Sequence, residues 1–267
     1  MMRALYSAAL GMKAQQTNVD IISNNLANVN TTAFKKDKAE FKDLLYETLS
    51  RADVVAGDGK PVSLQIGHGV TISAITKSFA EGNLERTENP LDLAIQGEGF
   101  FVVSTPNGPR YTRDGSFKVS NVEGQIKLVT SDGYPVLAEG DTEIVLPETA
   151  ISSITIDETG RITYKDAEGQ IQDSGLKIKI VRFINPQGLL AEGKNLYNVS
   201  AASGDPVSEE EMEGQKSRIL QGFLEMSNVQ VVDEMVKLII AQRAYEINSK
   251  AIQTADDMLS MANNLKR

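Results

Sequence analysis

Both ends of this chain carry a long apolar stripe at helical spacing, and the middle does not. Leu5, Ala9, Met12, Gln16, Val19, Ile22, Leu26 and Val29 recur every three or four residues, which puts them on one face of an amphipathic helix. The far end repeats the pattern with Val229, Val232, Val236, Ile240, Ala244, Ile247, Ala251, Thr254, Met258, Met261 and Leu265, and neither Gly nor Pro interrupts residues 228–267. At about 1.5 Å per residue the two predicted helices span roughly 40 and 55 Å. Asn30-Thr31-Thr32 reads as the stop of the first, and Ser227-Asn228-Val229-Gln230 fits a capping box opening the second. Glu246 and Lys250 form a favourable i,i+4 pair, and Lys266-Arg267 suit the negative end of the helix dipole.

Between the helices the period drops to two. Leu91-Asp92-Leu93-Ala94-Ile95, Phe117-Lys118-Val119 and Leu176-Lys177-Ile178-Lys179-Ile180 alternate as half-buried strands do. Turn signals such as Asn107-Gly108, Asp114-Gly115, Asp132-Gly133, Glu168-Gly169 and Asn185-Pro186-Gln187-Gly188 separate them. The expected fold is therefore α+β: two long terminal helices flanking a central antiparallel β-rich domain. Residues 1–30 with 227–267 form the helical part, 31–69 an extended connector, and 70–226 the β-rich domain. Glu209-Glu210-Glu211 reads as a solvated loop.

Long amphipathic helices are marginal alone in water, so both stripes need a partner. Two arrangements supply one: a hairpin of the two helices within the chain, or packing against helices of other subunits. Neutral amides crowd the end of the first helix, with Asn24, Asn25, Asn28 and Asn30 inside seven positions. Asn is a mediocre helix former, but in a crowded helix bundle a neutral amide can fix register where a charge is costly to desolvate. Asn24, Asn25 and Asn28 precede the stop, and Asn30 belongs to it.

Bulk composition excludes several classes. With 41% hydrophobic and 24% charged residues, the 267-residue chain is of ordinary globular type. Its net charge of −9 argues against nucleic-acid binding. Aromatics make up 6% with no Trp, so the core must rely on aliphatic packing. There is no cysteine, which removes disulfides, thiolate metal sites and cysteine nucleophiles. The N-terminus lacks the sustained apolar run of a Sec signal peptide, Lys13, Gln15, Gln16 and Asn18 coming too early. No run is long enough for a transmembrane helix. By these rules alone the chain would be placed in the cytosol.

Catalytic signals are missing. His68, the one histidine, stands between Gly67 and Gly69 with no nucleophile or second ligand beside it in sequence. Gly97-Glu98-Gly99 is too short for a dinucleotide fingerprint and runs into a strand-like Phe-Phe-Val-Val. Arg113-Asp114-Gly115 reads as a tight turn. No metal, cofactor or catalytic residue is called for.

Five stretches in order resemble the bacterial flagellar basal-body rod and hook proteins. They are I-S-N-N-L-A-N-V-N-T-T-A-F-K (22–35), L-D-L-A-I-Q-G-E-G-F-F-V-V (91–103), Y-T-R-D-G-S-F (111–117), L-Q-G-F-L-E-M-S-N-V (220–229) and Q-R-A-Y-E-I-N-S-K-A-I-Q-T-A-D-D-M-L (242–259). Residues 43–67, with Leu44, Leu45, Tyr46, Asp58, Gly59 and Pro61, resemble a stretch typical of distal-rod subunits of that family. It is shortened or missing in the hook type. The family usually has Gly before the Phe-Lys; Ala33 stands there instead, so a left-handed turn is not expected at that point.

The resemblance implies a structural subunit, not an enzyme, that self-assembles into a helical, rigid distal rod and transmits torque to the hook. Terminal helices would pack coiled-coil-like with those of neighbouring subunits, favouring the second arrangement above. Leu5, Met12, Val19, Ile22, Leu26, Val236, Ile240, Ala244, Tyr245, Ile247, Asn248, Ala251, Met258 and Met261 would join the three asparagines in that packing. Implied partners are further copies, neighbouring rod and hook proteins, the flagellar type III export apparatus and, where the envelope has them, outer ring proteins. The implied location is extracytoplasmic, reached without a cleavable signal peptide. A proximal-rod or hook-type paralogue is the alternative within the family. Outside it stand a β-domain binding module on a helical stalk and a carboxylate-based cell-wall hydrolase.

Overall fold

The computed structural model describes residues 2–50, 63–122, 124–146, 154–165, 170–209 and 216–264. Asp58, Gly59, Pro61, Gly169, Glu210, Glu211, Leu265, Lys266 and Arg267 lie outside them. The chain is α+β, with helix α1 (Met2–Ala27) near one end, helix α2 (Val231–Asn264) near the other, and antiparallel strands between.

It divides into two compact units. A helical unit holds residues 1–27, 37–77 and 230–267, and a β unit holds 28–36 and 78–229. Periodicity and turn signals place boundaries at 30, 69 and 226; strand pairing and packing place them elsewhere. From Asp37 the supposed connector is one arm of an antiparallel ribbon. Asp37–Asp43 pairs with Val70–Lys77, and Tyr46–Ser50 with Leu64–Gly67. The Leu44 N–H donates to the Gly69 carbonyl at 2.9 Å, carrying the same register between the two ladders. A lone two-stranded ribbon is marginal in water, and here the strand Val70–Lys77 lies against α1.

α1 and α2 run antiparallel. Asn25 near the end of α1 reaches Glu234 near the start of α2, and Gly11 sits under Asn248. The pairing face of α2 is Glu234, Ala241 and Ala255, all buried, with Leu238, Asn248, Ile252 and Leu259 half-buried beside them. Both ends differ from the sequence reading. α1 stops at Ala27, and Asn28-Val29-Asn30 is already turn. α2 starts at Val231, so the proposed box at Ser227 does not cap it. Ser227 Oγ instead accepts the Val229 N–H, because Asn228 is fastened elsewhere, as shown below.

The β unit is built on a six-stranded antiparallel sheet. Its order is Leu190–Gly193, Leu196–Asn198, Gly108–Thr112, Phe100–Thr105, Ile180–Arg182 and Val207–Ser208. Alternation in Phe100-Phe101-Val102-Val103 sends side chains to both faces. Phe101 and Val103 enter a largely aliphatic core with Leu93, Ile95, Leu128 and Ile162. Phe100 and Val102 enter a second cluster that gathers the scarce aromatics, Phe100 meeting Phe79 and Phe183 edge-on with centroids 5.5 Å apart. Leu93–Gln96 is buried on both faces up to its last residue, not alternately. Glu209 is not solvated: its buried carboxylate accepts the Ser217 N–H.

Candidate functional site

Two features stand out: a buried charge cluster in the β unit and an uncovered apolar face on α2.

The cluster begins with Ala33-Phe34-Lys35. Ala33 adopts φ 55°, the left-handed turn that the missing glycine argued against. Two partners hold it there: its N–H donates to the Glu225 carbonyl at 2.7 Å, and its methyl is buried. That turn aims Lys35 inward. Its ammonium, fully buried, lies 2.5 Å from Glu225 Oε1 and donates to the Ala80 carbonyl at 2.9 Å. Arg113 approaches the other carboxylate oxygen at 3.4 Å and donates to the Gly97 and Ile95 carbonyls at 2.6 and 3.3 Å. The Gly82 N–H also donates to Glu225. Burial pushes the Lys35 ammonium below the ordinary lysine range; the Glu225 carboxylate pulls it back up, and Arg113 pushes it further down. Two cations around one desolvated carboxylate with backbone carbonyls on the periphery form a structural lock. Among the described residues nothing beside it resembles a nucleophile or a group of metal ligands.

Asn228 completes the junction. Its Oδ1 accepts the Lys36 N–H at 2.9 Å, and its Nδ2 donates to the carbonyls of Ser78 and Ala80. The segments 33–36, 78–82 and 223–228 are thereby tied side by side within the β unit. Lys35, Arg113 and Glu225 each come from a different one of the stretches singled out in the sequence. Nothing in the spacing of those stretches indicated that they meet.

In the helical unit the asparagines separate. Asn25 is 1% exposed. Its Oδ1 accepts the Asp37 N–H, and its Nδ2 donates to the Asp37 carbonyl and to Glu234 Oε2. Both ends of the amide are used inside the chain: Asn25 pins the ribbon to both helices. Asn248, half-buried, packs over Gly11 of its own chain. Asn28, in the β unit, accepts the Thr31 hydroxyl and shapes a turn. Asn24 is exposed on α1.

The apolar residues also divide. Ile22 is buried in the chain, while Leu5, Met12, Val19 and Leu26 are half-buried. On α2 the predicted stripe is the exposed face. Val232, Val236, Ile240, Ile247, Met258 and Met261 are 43–74% exposed, and Ala251 is exposed with them. Val231, Met235, Ile239 and Tyr245 widen the band; Ala244 is half-buried. The face that pairs with α1, around Glu234, Ala241, Asn248 and Ala255, is thus a different one. On the ribbon, Leu44 is half-buried and Leu45 and Tyr46 are exposed. The Asp43 carboxylate, accepting from the Tyr46 hydroxyl, raises that phenol above its usual range. Arg3 and His68 both face Glu47, at 2.6 and 3.8 Å.

Comparison with known proteins gives this layout a context. Residues 5–35 match the family model of flagella basal body rod proteins. Residues 94–164 match the D1 domain of the flagellar hook protein FlgE/F/G family, and 220–265 the C-terminal model of the flagellar basal body rod FlgEFG proteins. The flagellar basal-body rod protein FlgG of Borreliella burgdorferi is 50% identical, with the whole of both chains covered. The chain belongs to the flagellar basal-body rod protein family. FlgG of Bacillus subtilis is 41% identical over the full length of both chains, and the hook-basal body complex protein FlhP of the same organism 32%. The family is structural and not enzymatic, and this member is a subunit of the flagellar basal-body rod. Each matched segment supplies one member of the buried cluster: Lys35, Arg113 and Glu225 in turn. Among the described residues no helix is long and apolar enough to cross a membrane.

Proposed function

We propose that this rod subunit builds the distal part of the rod, polymerising into a stiff helical shaft that transmits torque to the hook. The observation that carries the reading is the exposed band of Val232, Val236, Ile240, Ile247, Met258 and Met261 along α2. Burying each such side chain is worth about 1.5–3 kcal/mol, and α1 already occupies the other face. A neighbouring copy is the partner this band requires. Contact between unlike patches on successive copies generates an open filament instead of a closed ring. The two helices pack coiled-coil-like with those of neighbouring copies, and the ribbon is the element particular to the distal rod. The greater identity to FlgG than to FlhP of one organism favours the distal-rod reading over a paralogous axial role. The chain works outside the cytoplasm after passage through the flagellar type III export apparatus, meeting neighbouring rod and hook proteins and, where present, the outer rings.

Val236→Asp, Ile240→Asp and Ile247→Asp, separately and together, test this. Each variant is expected to keep the monomer's circular dichroism and thermal transition while losing polymerisation and motility in a strain lacking the native subunit. Normal polymers from the triple variant would overturn the reading.

A further inference from the structure

Oxidation chemistry in this chain falls on methionine. The sequence has eight methionines and neither cysteine nor tryptophan, so thioethers are its most readily oxidised side chains. Met12 and Met226 are partly covered, whereas Met235, Met258 and Met261 on α2 are 50, 43 and 58% exposed. Met258 and Met261 lie on the apolar band itself. Met235 borders it, one helical turn from Val231 and one from Ile239, both exposed. Oxidisable groups thus bracket the band near the beginning and the end of the helix.

We propose that Met235, Met258 and Met261 form a reversible oxidation site that decides whether this face of α2 can be covered by a second copy of the chain. The consequence for assembly rests on the self-assembly reading above. The oxidant is a peroxide. The thioether sulfur attacks one peroxide oxygen, the O–O bond breaks, the sulfur is oxidised by two electrons to the sulfoxide, and the second oxygen leaves as water. Reduction by a dithiol through a sulfoxide reductase returns the thioether, with a disulfide and water as the other products. The sulfoxide replaces a pliable apolar group by a strong acceptor. Packed against an apolar surface of a neighbour, that oxygen finds no donor, so the covered state is penalised. Once a copy is in place the same thioethers are shielded. The site therefore acts on subunits before incorporation.

The test uses the full chain, dilute hydrogen peroxide and peptide mass spectrometry. In the free chain Met235, Met258 and Met261 are expected to gain oxygen before Met12 and Met226. The oxidised chain is expected to need about tenfold more protein to polymerise, since a polar sulfoxide must be buried unpaired, and methionine sulfoxide reductase should restore it. A triple variant, Met235→Leu, Met258→Leu and Met261→Leu, conserves volume; it should polymerise and keep doing so after peroxide. Unchanged polymerisation of the oxidised native chain overturns the proposal. So does equal loss in the treated leucine variant, which would put the lesion elsewhere, at exposed Met2 for example. A chain that fails to polymerise before any peroxide is added refutes self-assembly itself and the switch with it, a failure recognisable because it precedes oxidation.

Discussion

Lys35 and Glu225 are 190 residues apart in the sequence, and their charged atoms meet at 2.5 Å with neither side chain exposed. This contact joins the start of the β unit to its exit, and Arg113 braces it from the middle. Removing Lys35 leaves the desolvated Glu225 carboxylate with the Gly82 N–H and the longer contact to Arg113. Lys35→Met is expected to destabilise the β unit by about 3–5 kcal/mol, the usual cost of breaking a buried pair. Urea unfolding followed by tyrosine fluorescence measures it, and a loss within the error of the method would mean that the cluster is not a lock.

The same lysine sets a pH dependence. Its pKa in the folded chain lies below the ordinary 10.5, so across the interval up to 10.5 the unfolded chain binds more protons. Lys35's contribution to stability therefore rises with pH in that interval and falls as pH drops through the folded pKa. Unfolding free energies of the native chain and of Lys35→Met, compared at successive alkaline pH values, should diverge in the native chain's favour up to 10.5. A constant difference would contradict the assigned shift.

Residues 28–36 belong to the β unit although forty-one residues of the helical unit follow them in sequence. A fragment of residues 78–229 alone lacks Lys35 and is expected to stay unfolded or aggregate. Because the Ser78 N–H donates to the Lys36 carbonyl at 2.9 Å, a short Gly/Ser loop can join 28–36 to 78–229. That fusion should give dispersed amide resonances in a proton–nitrogen spectrum, and similar spectra from both fragments would refute the assignment.

Asn25→Leu removes three hydrogen bonds and strands the Asp37 N–H and carbonyl. An expected loss of about 1–3 kcal/mol per buried group left unpaired should lower the helical unit's melting temperature and speed hydrogen exchange at Asp37. Asn28→Ala, which gives up the part-buried bond from the Thr31 hydroxyl, should cost less. Equal effects would show that Asn25 is no more than a cap.

Gly115 makes the sharpest steric prediction. A Cβ there would stand 1.7 Å from the Leu93 carbonyl oxygen, which is backbone and cannot turn aside. Gly115→Ala should disrupt the pairing of Leu93 with Gly115, whose carbonyl accepts the Leu93 N–H at 3.0 Å. Loss of soluble expression or of the cooperative transition is expected, and a native-like melting curve would exclude the close approach.

Much of this was legible in the residues alone. Three- and four-residue spacing marks α1 and α2, and turn-punctuated alternation marks a β unit. The five quoted stretches carry the family. Those signals are local, written within a few turns or a few strand residues. α2's strongest stripe is the exposed one, and the face that pairs with α1 is the quieter one of Glu234, Ala241, Asn248 and Ala255. Periodicity ranks faces by hydrophobicity and says nothing about which neighbour each meets.

The tertiary structure alone decided the rest. Asn25 became an internal strut because the chain turns back and brings Asp37 to it, a contact that no propensity encodes. Ala33 accepts a left-handed backbone because a carbonyl from residue 225 holds it there. Lys35, Arg113 and Glu225 form one cluster because three distant segments fold side by side. Short-range order follows from side-chain chemistry and spacing; which charge meets which, and which helix face is left bare, depends on contacts between residues that only the folded chain brings together.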